Sequence, residues 1–68
     1  MDEMTSMEVR RLEQAVEQGA SVRVYIVNGY QLNGVITDFD CNALMMRTNG
    51  REMMVYRSAV SSIEFLKI

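Results

Sequence analysis

Two tyrosines on either side of an Asn-Gly pair are the side chains of this 68-residue chain best suited to hold another molecule. Tyr25 and Tyr30 flank Asn28 and Gly29, and a glycine at such a point lets a ligand approach the backbone closely. Nucleic-acid bases stack on aromatic faces of this kind, for about 1–3 kcal/mol per base. Tyrosine is also common on ordinary surface strands, and this spacing alone favours that simpler interpretation.

A second candidate is Arg57, whose guanidinium can bind a phosphate or a carboxylate through paired hydrogen bonds. It is equally well suited to a structural ion pair, for which Asp40 is the suggested partner. We expect Asp40 itself to be structural and to accept backbone or hydroxyl hydrogen bonds. Both roles of Arg57 stay open at this point.

The composition offers little for catalysis. There is no histidine, no glycine-rich phosphate loop and no metal-ligand spacing. Cys41 has no histidine to activate it, so we expect a small buried or half-buried thiol. Asp38 and Asp40 are two nearby carboxylates, but they fall at a predicted strand end and have no acid–base partner. The sequence therefore predicts a protein that is not an enzyme, with no cofactor and no metal.

Charge and size limit the remaining functions. Seven Lys and Arg residues against nine Asp and Glu residues give a net charge of −2, which argues mildly against nucleic-acid binding. A chain this short builds only a marginal core, and a single cysteine excludes an internal disulfide, so oligomerisation is the remaining route to stability. The acidic start, the lone thiol and the lack of a long apolar run predict a cytoplasmic protein without a membrane segment.

One helix and five strands are expected within a single domain that covers residues 1–68. Thr5 and Glu8 form a capping-box signature at the helix start, and Gly19 is a helix stop. Between them, apolar residues recur at three- and four-residue spacing: Val9, Leu12 and Val16. We therefore predict a helix at about residues 6–18.

From Ser21 the apolar period changes to two, which is typical of strands. The predicted strands cover approximately residues 21–27, 30–38, 43–48, 51–56 and 61–66. Asn28-Gly29 and Asn49-Gly50 predict tight two-residue hairpins, because both turn positions need a positive φ. Gly34 lies inside the second strand and suits a bend or bulge. The pattern predicts a mainly β fold, a small, strongly bent antiparallel barrel whose open end is covered by the N-terminal helix.

The edges of such a partly open barrel need protection or a partner. The fourth strand carries Met53, Met54 and Val55, and the fifth carries Ile63 and Phe65. Pairing of the fourth strand with the fifth strand of a neighbouring copy would bury both edges. Head-to-tail contacts of this kind can close into a ring.

These residues also resemble a known family. The stretch from Val24 to Gly34, VYIVNGYQLNG, resembles the first Sm motif of the Hfq family of bacterial Sm-like RNA chaperones, which is close to YLVNGxxLxG. Phe39-Asp40 corresponds to the family's FD, and YRSAVSSI from Tyr56 resembles its second motif, typically YKHAIST. The resemblance covers about residues 6–66. It implies a five-stranded bent barrel, a homohexameric ring, and RNA binding on two faces and the rim that pairs small regulatory RNAs with messages.

In the family, the face away from the helix binds A-rich or purine-rich RNA between subunits. The resemblance places this site at eight positions of the present chain: Tyr25, Asn28, Gly29, Tyr30, Gln31, Leu32, Asn33 and Ser62. The fourth-strand glutamine that reads adenine in some members corresponds to Met53. With the motif in place, base stacking becomes the favoured interpretation of the two tyrosines.

The helix-side face of the family binds U-rich RNA around a pore. The resemblance places this site at six positions: Asp40, Cys41, Asn42, Tyr56, Arg57 and Ser58. Asn42 replaces the family's stacking aromatic and Ser58 replaces its histidine, which implies weakened binding of U-rich RNA. Arg57 keeps the positive charge. The family's arginine cluster on the rim falls on Val16, Glu17 and Gly19, so annealing at the rim is poorly supported.

Two functions of different classes remain. The first is an RNA chaperone that binds A-rich RNA on the face carrying the tyrosines and takes part in post-transcriptional regulation by small RNAs. The second is an Sm-like ring that acts as a scaffold or protein-interaction module with weak or altered RNA binding. A hexamer would carry 6 × (−2) = −12 formal charges, which favours the scaffold unless the arginines cluster. The intact first motif favours RNA binding.

Overall fold

The computed structural model describes residues 4–66, in which one helix precedes a five-stranded antiparallel sheet. The helix is α1 (Ser6–Gln18), and the strands are β1 (Ser21–Ile26), β2 (Gln31–Phe39), β3 (Ala43–Thr48), β4 (Arg51–Tyr56) and β5 (Val60–Phe65). A single 3-10 turn, Arg57–Ala59, joins β4 to β5. The predicted helix and all five strands are confirmed to within two residues at each end. Between residues 4 and 66, no helix has the length and apolar composition that a membrane crossing requires.

The helix begins and ends as its sequence predicts. The Thr5 hydroxyl accepts a hydrogen bond from the Glu8 amide at 3.2 Å, and Glu8 Oε1 accepts one from the Thr5 amide at 2.9 Å. Gly19 ends the helix in the left-handed conformation, with φ of 58°. Leu12 and Ala15 are buried on the face that packs against the sheet.

The strand order β4-β3-β2-β1-β5 leaves β4 and β5 at the two edges, as expected. The five largest fully buried side chains come from the three central strands: Val22, Val24, Ile36, Leu44 and Met46. The pairing register shifts in β2 between Ile36 and Asp38, and again where β1 meets β5. Such irregularities bend a strand and increase its twist, so they curve the sheet around this core.

The close approach of β2 and β3 requires a residue without a side chain at Gly34. A Cβ atom at this position would lie 2.2 Å from the carbonyl oxygen of Arg47, well inside any real contact. The register shift itself comes two residues later, after Ile36. Gly34 therefore permits the tight packing of β2 on β3 beside the bend, which agrees with the expected link between this glycine and the bent strand.

The two Asn-Gly hairpins differ. Asn49 and Gly50 both have positive φ, 54° and 75°, as a two-residue turn requires. In the first hairpin only Gly29 has a positive φ, 99°, and the prediction of a two-residue turn there is wrong. Hydrogen bonds from Gly29 N to Ile26 O (2.9 Å) and from Ile26 N to Tyr30 O (2.8 Å) close a three-residue loop. The Asn28 side chain accepts from the Tyr30 amide at 3.2 Å, which favours this longer turn with its glycine bulge.

Candidate nucleic-acid interface

Two rows of side chains cross β2, β1 and β5 on the surface of the sheet that faces away from the core. In the first row Tyr25 lies opposite Gln31 on one side and Ser62 on the other. In the second row Arg23 lies between Asn33 and Glu64. Because neighbouring residues of β1, Val22 and Val24, are fully buried, strand alternation directs both rows outward. We call these six residues the outer face.

The first hairpin stands at the end of this outer face. Tyr30 is 71% exposed, and Asn28 and Gly29 are exposed beside it. Leu32 differs from the other residues predicted for this site, since it lies opposite the buried Val24 and packs against the core. The fold therefore brings Tyr25, Gln31, Asn33 and Ser62 onto one surface, while the side chain of Leu32 faces the other way.

Arg23 and Glu64 were not singled out from the sequence, but they connect the outer face. Arg23 Nε donates to Asn33 Oδ1 at 3.0 Å, and Arg23 Nη1 donates to Glu64 Oε1 at 3.3 Å. The Tyr25 hydroxyl donates to the same Glu64 oxygen at 3.0 Å. Alternation along β1 already implied that Arg23 points outward with Tyr25; only the register of β5 reveals Glu64 as their shared partner.

An open polar groove of about 560 Å³ lies next to the outer face, between the start of β2 and the β3–β4 hairpin. Its lining joins residues from both elements: Gln31, Leu32, Asn33, Thr48, Asn49, Arg51 and Met53. Met53, the position at which the resemblance places the glutamine that reads adenine in some members of the family, thus lies in one groove with Gln31 and Asn33. Arg51 adds a cation that sequence analysis did not assign to this region.

The residues predicted around a pore form a second cluster. Asp40 Oδ1 accepts hydrogen bonds from the amides of Asn42 (2.8 Å) and Ala43 (2.9 Å), and these bonds lower the pKa of Asp40. The predicted structural role of Asp40 is confirmed. The Arg57 amide donates to the Asn42 carbonyl at 2.8 Å, and Arg57 Nη1 donates to the Cys41 carbonyl at 3.5 Å. The β2–β3 loop and the end of β4 are thereby held together.

Tyr56 and Ser58 lie on either side of Arg57 and are both exposed. Tyr56, at the end of β4, is 62% exposed and pairs with Ala43 of β3. Ser58 lies in the 3-10 turn. The fold therefore collects the six residues predicted for this site at the junction of the β2–β3 loop with the turn after β4.

Arg57 forms its ion pair with Glu8 on the helix, so the suggested partner Asp40 is wrong. The reason is that Asp40 already satisfies loop amides, while the capping box holds the Glu8 carboxylate within reach of Arg57. The pKa of Glu8 is lowered, first by the hydrogen bond from the Thr5 amide and further by the positive charge of Arg57. Glu8 was predicted only as a helix cap; its contact with Arg57 is a second role that spacing along the chain did not indicate.

Exposed apolar side chains collect at the two edges of the sheet. On β4, Met53 is 38% and Met54 54% exposed, and Leu66 just after β5 is 41% exposed. Beside β5, a groove of about 460 Å³ separates this strand from α1. Apolar residues from both elements line it, including Met7, Leu12, Ile63 and Phe65. Both edges thus combine unpaired backbone groups with apolar surface.

Residues 9–67 match the family model described as Hfq protein. The RNA-binding protein Hfq of Natranaerobius thermophilus is 40% identical over 52 residues, which cover 76% of this chain and 62% of that protein. The RNA-binding protein Hfq of Pelotomaculum thermopropionicum is 34% identical over 56 residues, which cover 82% of this chain and 68% of that protein. This chain therefore spans less than two thirds of the length of the first relative. It spans slightly more than two thirds of the length of the second.

Two solved structures share the fold. A crystal structure of the pleiotropic translational regulator Hfq superposes with a TM-score of 0.85 at 25% identity, and the match covers 87% of this chain and 98% of that one. The structure of an Hfq protein from Anabaena sp. superposes with a TM-score of 0.84 over 91% of this chain and all of that one. At 18% identity, the second likeness supports the bent five-stranded fold alone.

Proposed function

Because this chain belongs to the Hfq family, we propose that it is an RNA-binding protein, that it is not an enzyme, and that it acts in the cytoplasm as a single domain. The observation that carries the proposal is the outer face, where Tyr25 stands beside polar side chains and next to the exposed Tyr30. Stacking on aromatic rings together with polar contacts to base edges is how proteins hold single-stranded RNA.

The proposed ligand of the outer face is A-rich or purine-rich single-stranded RNA, bound in the context of post-transcriptional regulation by small RNAs. Gln31 and Asn33 offer amide groups beside the aromatic ring, and Ser62 offers a hydroxyl. The neighbouring polar groove, which contains Arg51, provides one cation for the phosphate backbone. Met53 cannot hydrogen-bond to adenine as an amide would, so discrimination between purines depends on the other residues.

Binding of U-rich RNA at the second cluster, which surrounds Arg57, is proposed to be weak. Asn42 offers no aromatic ring for stacking, and Ser58 carries no charge. The positive charge of Arg57 is also neutralised by Glu8 in the isolated chain. A phosphate at this position would therefore compete with a carboxylate that is already in place.

The assembly is proposed to be a homohexameric ring in which β4 of one subunit pairs with β5 of the next. The exposed Met54 on one edge and Leu66 by the other would be covered by such a contact. Cyclic repetition would bring six copies of Arg57 and Glu8 around one axis. The hexameric order rests on the family alone.

A scaffold with little affinity for RNA is the second candidate. The net charge of −2 per chain favours it, and so do the ion pairs that engage both Arg23 and Arg57. In this alternative the ring would present its outer face to a protein. The two candidates differ in one measurable property, the affinity for short RNA.

The test is a titration of labelled oligo(A) and oligo(U) followed by fluorescence anisotropy at two salt concentrations, with the protein mass measured by light scattering. The wild type is expected to bind oligo(A) more tightly than oligo(U). Combining Tyr25→Ala with Tyr30→Ala should weaken oligo(A) binding by at least about tenfold, because each lost stacking contact is worth about 1–3 kcal/mol. The mass should not change.

The matched control is the double variant with Tyr25→Phe and Tyr30→Phe, which keeps both rings and is expected to keep most of the affinity. Equal oligo(A) affinity in the alanine variant and the wild type would refute the assignment of the outer face. A particle of the same mass that binds neither oligomer would instead establish the scaffold.

A further inference from the structure

The hydrogen bonds of the outer face restrict what each of its side chains can offer to a ligand. Arginine has donors only, so the contact of 3.0 Å from Arg23 Nε requires the carbonyl oxygen of Asn33 on that side. The Asn33 amino group is then left for a ligand. The Tyr25 hydroxyl has committed its hydrogen to Glu64, so only the ring and an oxygen lone pair stay available.

Glu64 is the one negatively charged acceptor among the six residues of the outer face. Its Oε1 atom receives hydrogen bonds from both Arg23 and Tyr25, whereas no residue between 4 and 66 donates to Oε2. The side chain is 50% exposed, beside the half-buried ring of Tyr25. A base stacked on that ring would bring its edge within reach of this carboxylate.

Arg23 determines how strongly the negative charge of Glu64 would repel an RNA. The two side chains form an ion pair of 3.3 Å, in which Arg23 is 37% exposed. An unpaired carboxylate would repel the phosphate backbone, but the paired guanidinium largely offsets that repulsion at short range. The pair is therefore suited to reading a base edge, and Arg23 is not free to act as a phosphate anchor.

We propose that Glu64 selects the bases bound on the outer face by accepting a hydrogen bond from an exocyclic amino group. Adenine, cytosine and guanine carry such a group, and carboxylates accept from it in known base recognition. Uracil has only its N3–H, recessed between two carbonyl oxygens that repel a carboxylate. This inference rests on the proposed RNA binding of the outer face, and it assigns rejection of uracil to a residue outside the resembling motifs.

The test compares two labelled oligonucleotides of equal length, oligo(A) and an analogue in which purine replaces adenine and the amino group is missing. In the wild type the analogue is expected to bind about tenfold more weakly, the typical effect of one hydrogen bond to a charged group. Glu64→Gln keeps an acceptor for Tyr25 and Arg23 but replaces the charged acceptor by a neutral one. In this variant the difference between the two oligonucleotides should fall to about threefold or less.

Glu13→Gln is the matched control, because it removes the same charge from an exposed position on the helix. It should leave the ratio of the two affinities at the wild-type value. If Glu64 only supported the sheet, Glu64→Gln would weaken both oligonucleotides equally, and the unchanged ratio would overturn the proposal. An equal change of the ratio in Glu13→Gln would overturn it too, by showing an effect of net charge.

Different results would contradict the RNA binding of the outer face and the role of Glu64. The wild type could bind oligo(A) while Glu64→Gln keeps the full affinity difference between oligo(A) and the analogue that lacks the amino group. This result would leave the proposed RNA binding intact and would show that Glu64 does not select the base. Failure of the wild type to bind either oligonucleotide would remove both.

Discussion

Glu8 shows how one side chain can serve the fold and the candidate site together. One carboxylate oxygen completes the capping box with the Thr5 amide, and the other pairs with Arg57 in the 3-10 turn after β4. The helix start is thereby tied to the turn that precedes β5. The same contact holds a negative charge at the position where a phosphate would approach Arg57.

Glu8→Gln separates these two roles, since glutamine can also complete a capping box. The helix should remain stable while Arg57 loses its neutralising partner. We expect oligo(U) affinity to rise by up to about fivefold, in line with the modest strength of partly exposed ion pairs. The dependence on salt should become steeper because one more cation is available for phosphate.

Anisotropy titrations of oligo(U) over a range of salt concentrations measure this effect. Glu13→Gln serves again as the control for net charge. In a double-mutant cycle, the gain from Glu8→Gln should disappear when Arg57→Gln is also present. An unchanged affinity in Glu8→Gln alone would mean that RNA does not approach Arg57.

At the scale of elements, the curvature of the sheet depends on β2. This nine-residue strand pairs with β1 along its first half and with β3 along its second half, and its register shifts between Ile36 and Asp38. Gly34 lies directly before Val35, the residue at which the two pairings overlap, and the backbone of Arg47 comes close to it. The bend places β1 and β5 so that the two rows of the outer face share one surface.

Gly34→Ala should therefore destabilise the fold, since the added Cβ would meet backbone that cannot move independently of β3. The expected loss in the free energy of unfolding is about 1–3 kcal/mol, or more if the strands must separate. Urea denaturation followed by circular dichroism measures it. As a control, Gly50→Asn changes a glycine with open space around it and a positive φ that asparagine tolerates, so a much smaller loss is expected.

If the urea denaturation midpoint of Gly34→Ala equals that of the wild type, β2 and β3 can move apart without a loss in the free energy of unfolding. The bend would then have to be attributed to the register shift after Ile36 alone.

At the scale of the whole molecule, the isolated chain leaves both edges of its sheet unpaired. In the order β4-β3-β2-β1-β5, each of the three central strands is hydrogen-bonded to a neighbour on both sides. Any assembly through strand pairing must therefore use β4 and β5. Met54 on β4 is the more exposed of the two methionines on this edge. The small core, whose five largest fully buried side chains all come from β1, β2 and β3, also favours stabilisation by neighbouring subunits.

Met54→Lys places a charge in the proposed subunit contact and should reduce the particle mass toward that of the single 7.8 kDa chain. Light scattering coupled to size exclusion measures the mass. Gln31→Lys, an equally charged change at an exposed position of a central strand, should leave the mass unaltered. A wild-type protein that already runs as a single chain, or a Met54→Lys protein of unchanged mass, would contradict the proposed ring.

The elements of this protein follow from short-range sequence patterns. The capping box, the glycine stop, the period of two and the Asn49-Gly50 turn each act over a few residues, so helix and strands could be predicted closely. The hairpin at Asn28-Gly29 was predicted but with the wrong loop length, because the choice between two and three loop residues depends on the hydrogen bond that the Asn28 side chain accepts from the Tyr30 amide. The motif from Val24 to Gly34 also identified the family, and the match of residues 9–67 to the Hfq family model confirms it.

The contacts that give the candidate sites their character were decided by tertiary structure. Glu8 lies 49 residues from Arg57, and Arg23 lies 41 residues from Glu64. No local pattern links such positions, because their meeting depends on the strand register and on the path of the curved sheet. The sequence thus determined which side chains point outward along each strand, whereas the pairing of β1 with β5 and the packing of α1 determined which charges are neutralised and which polar groups stay available at the surface.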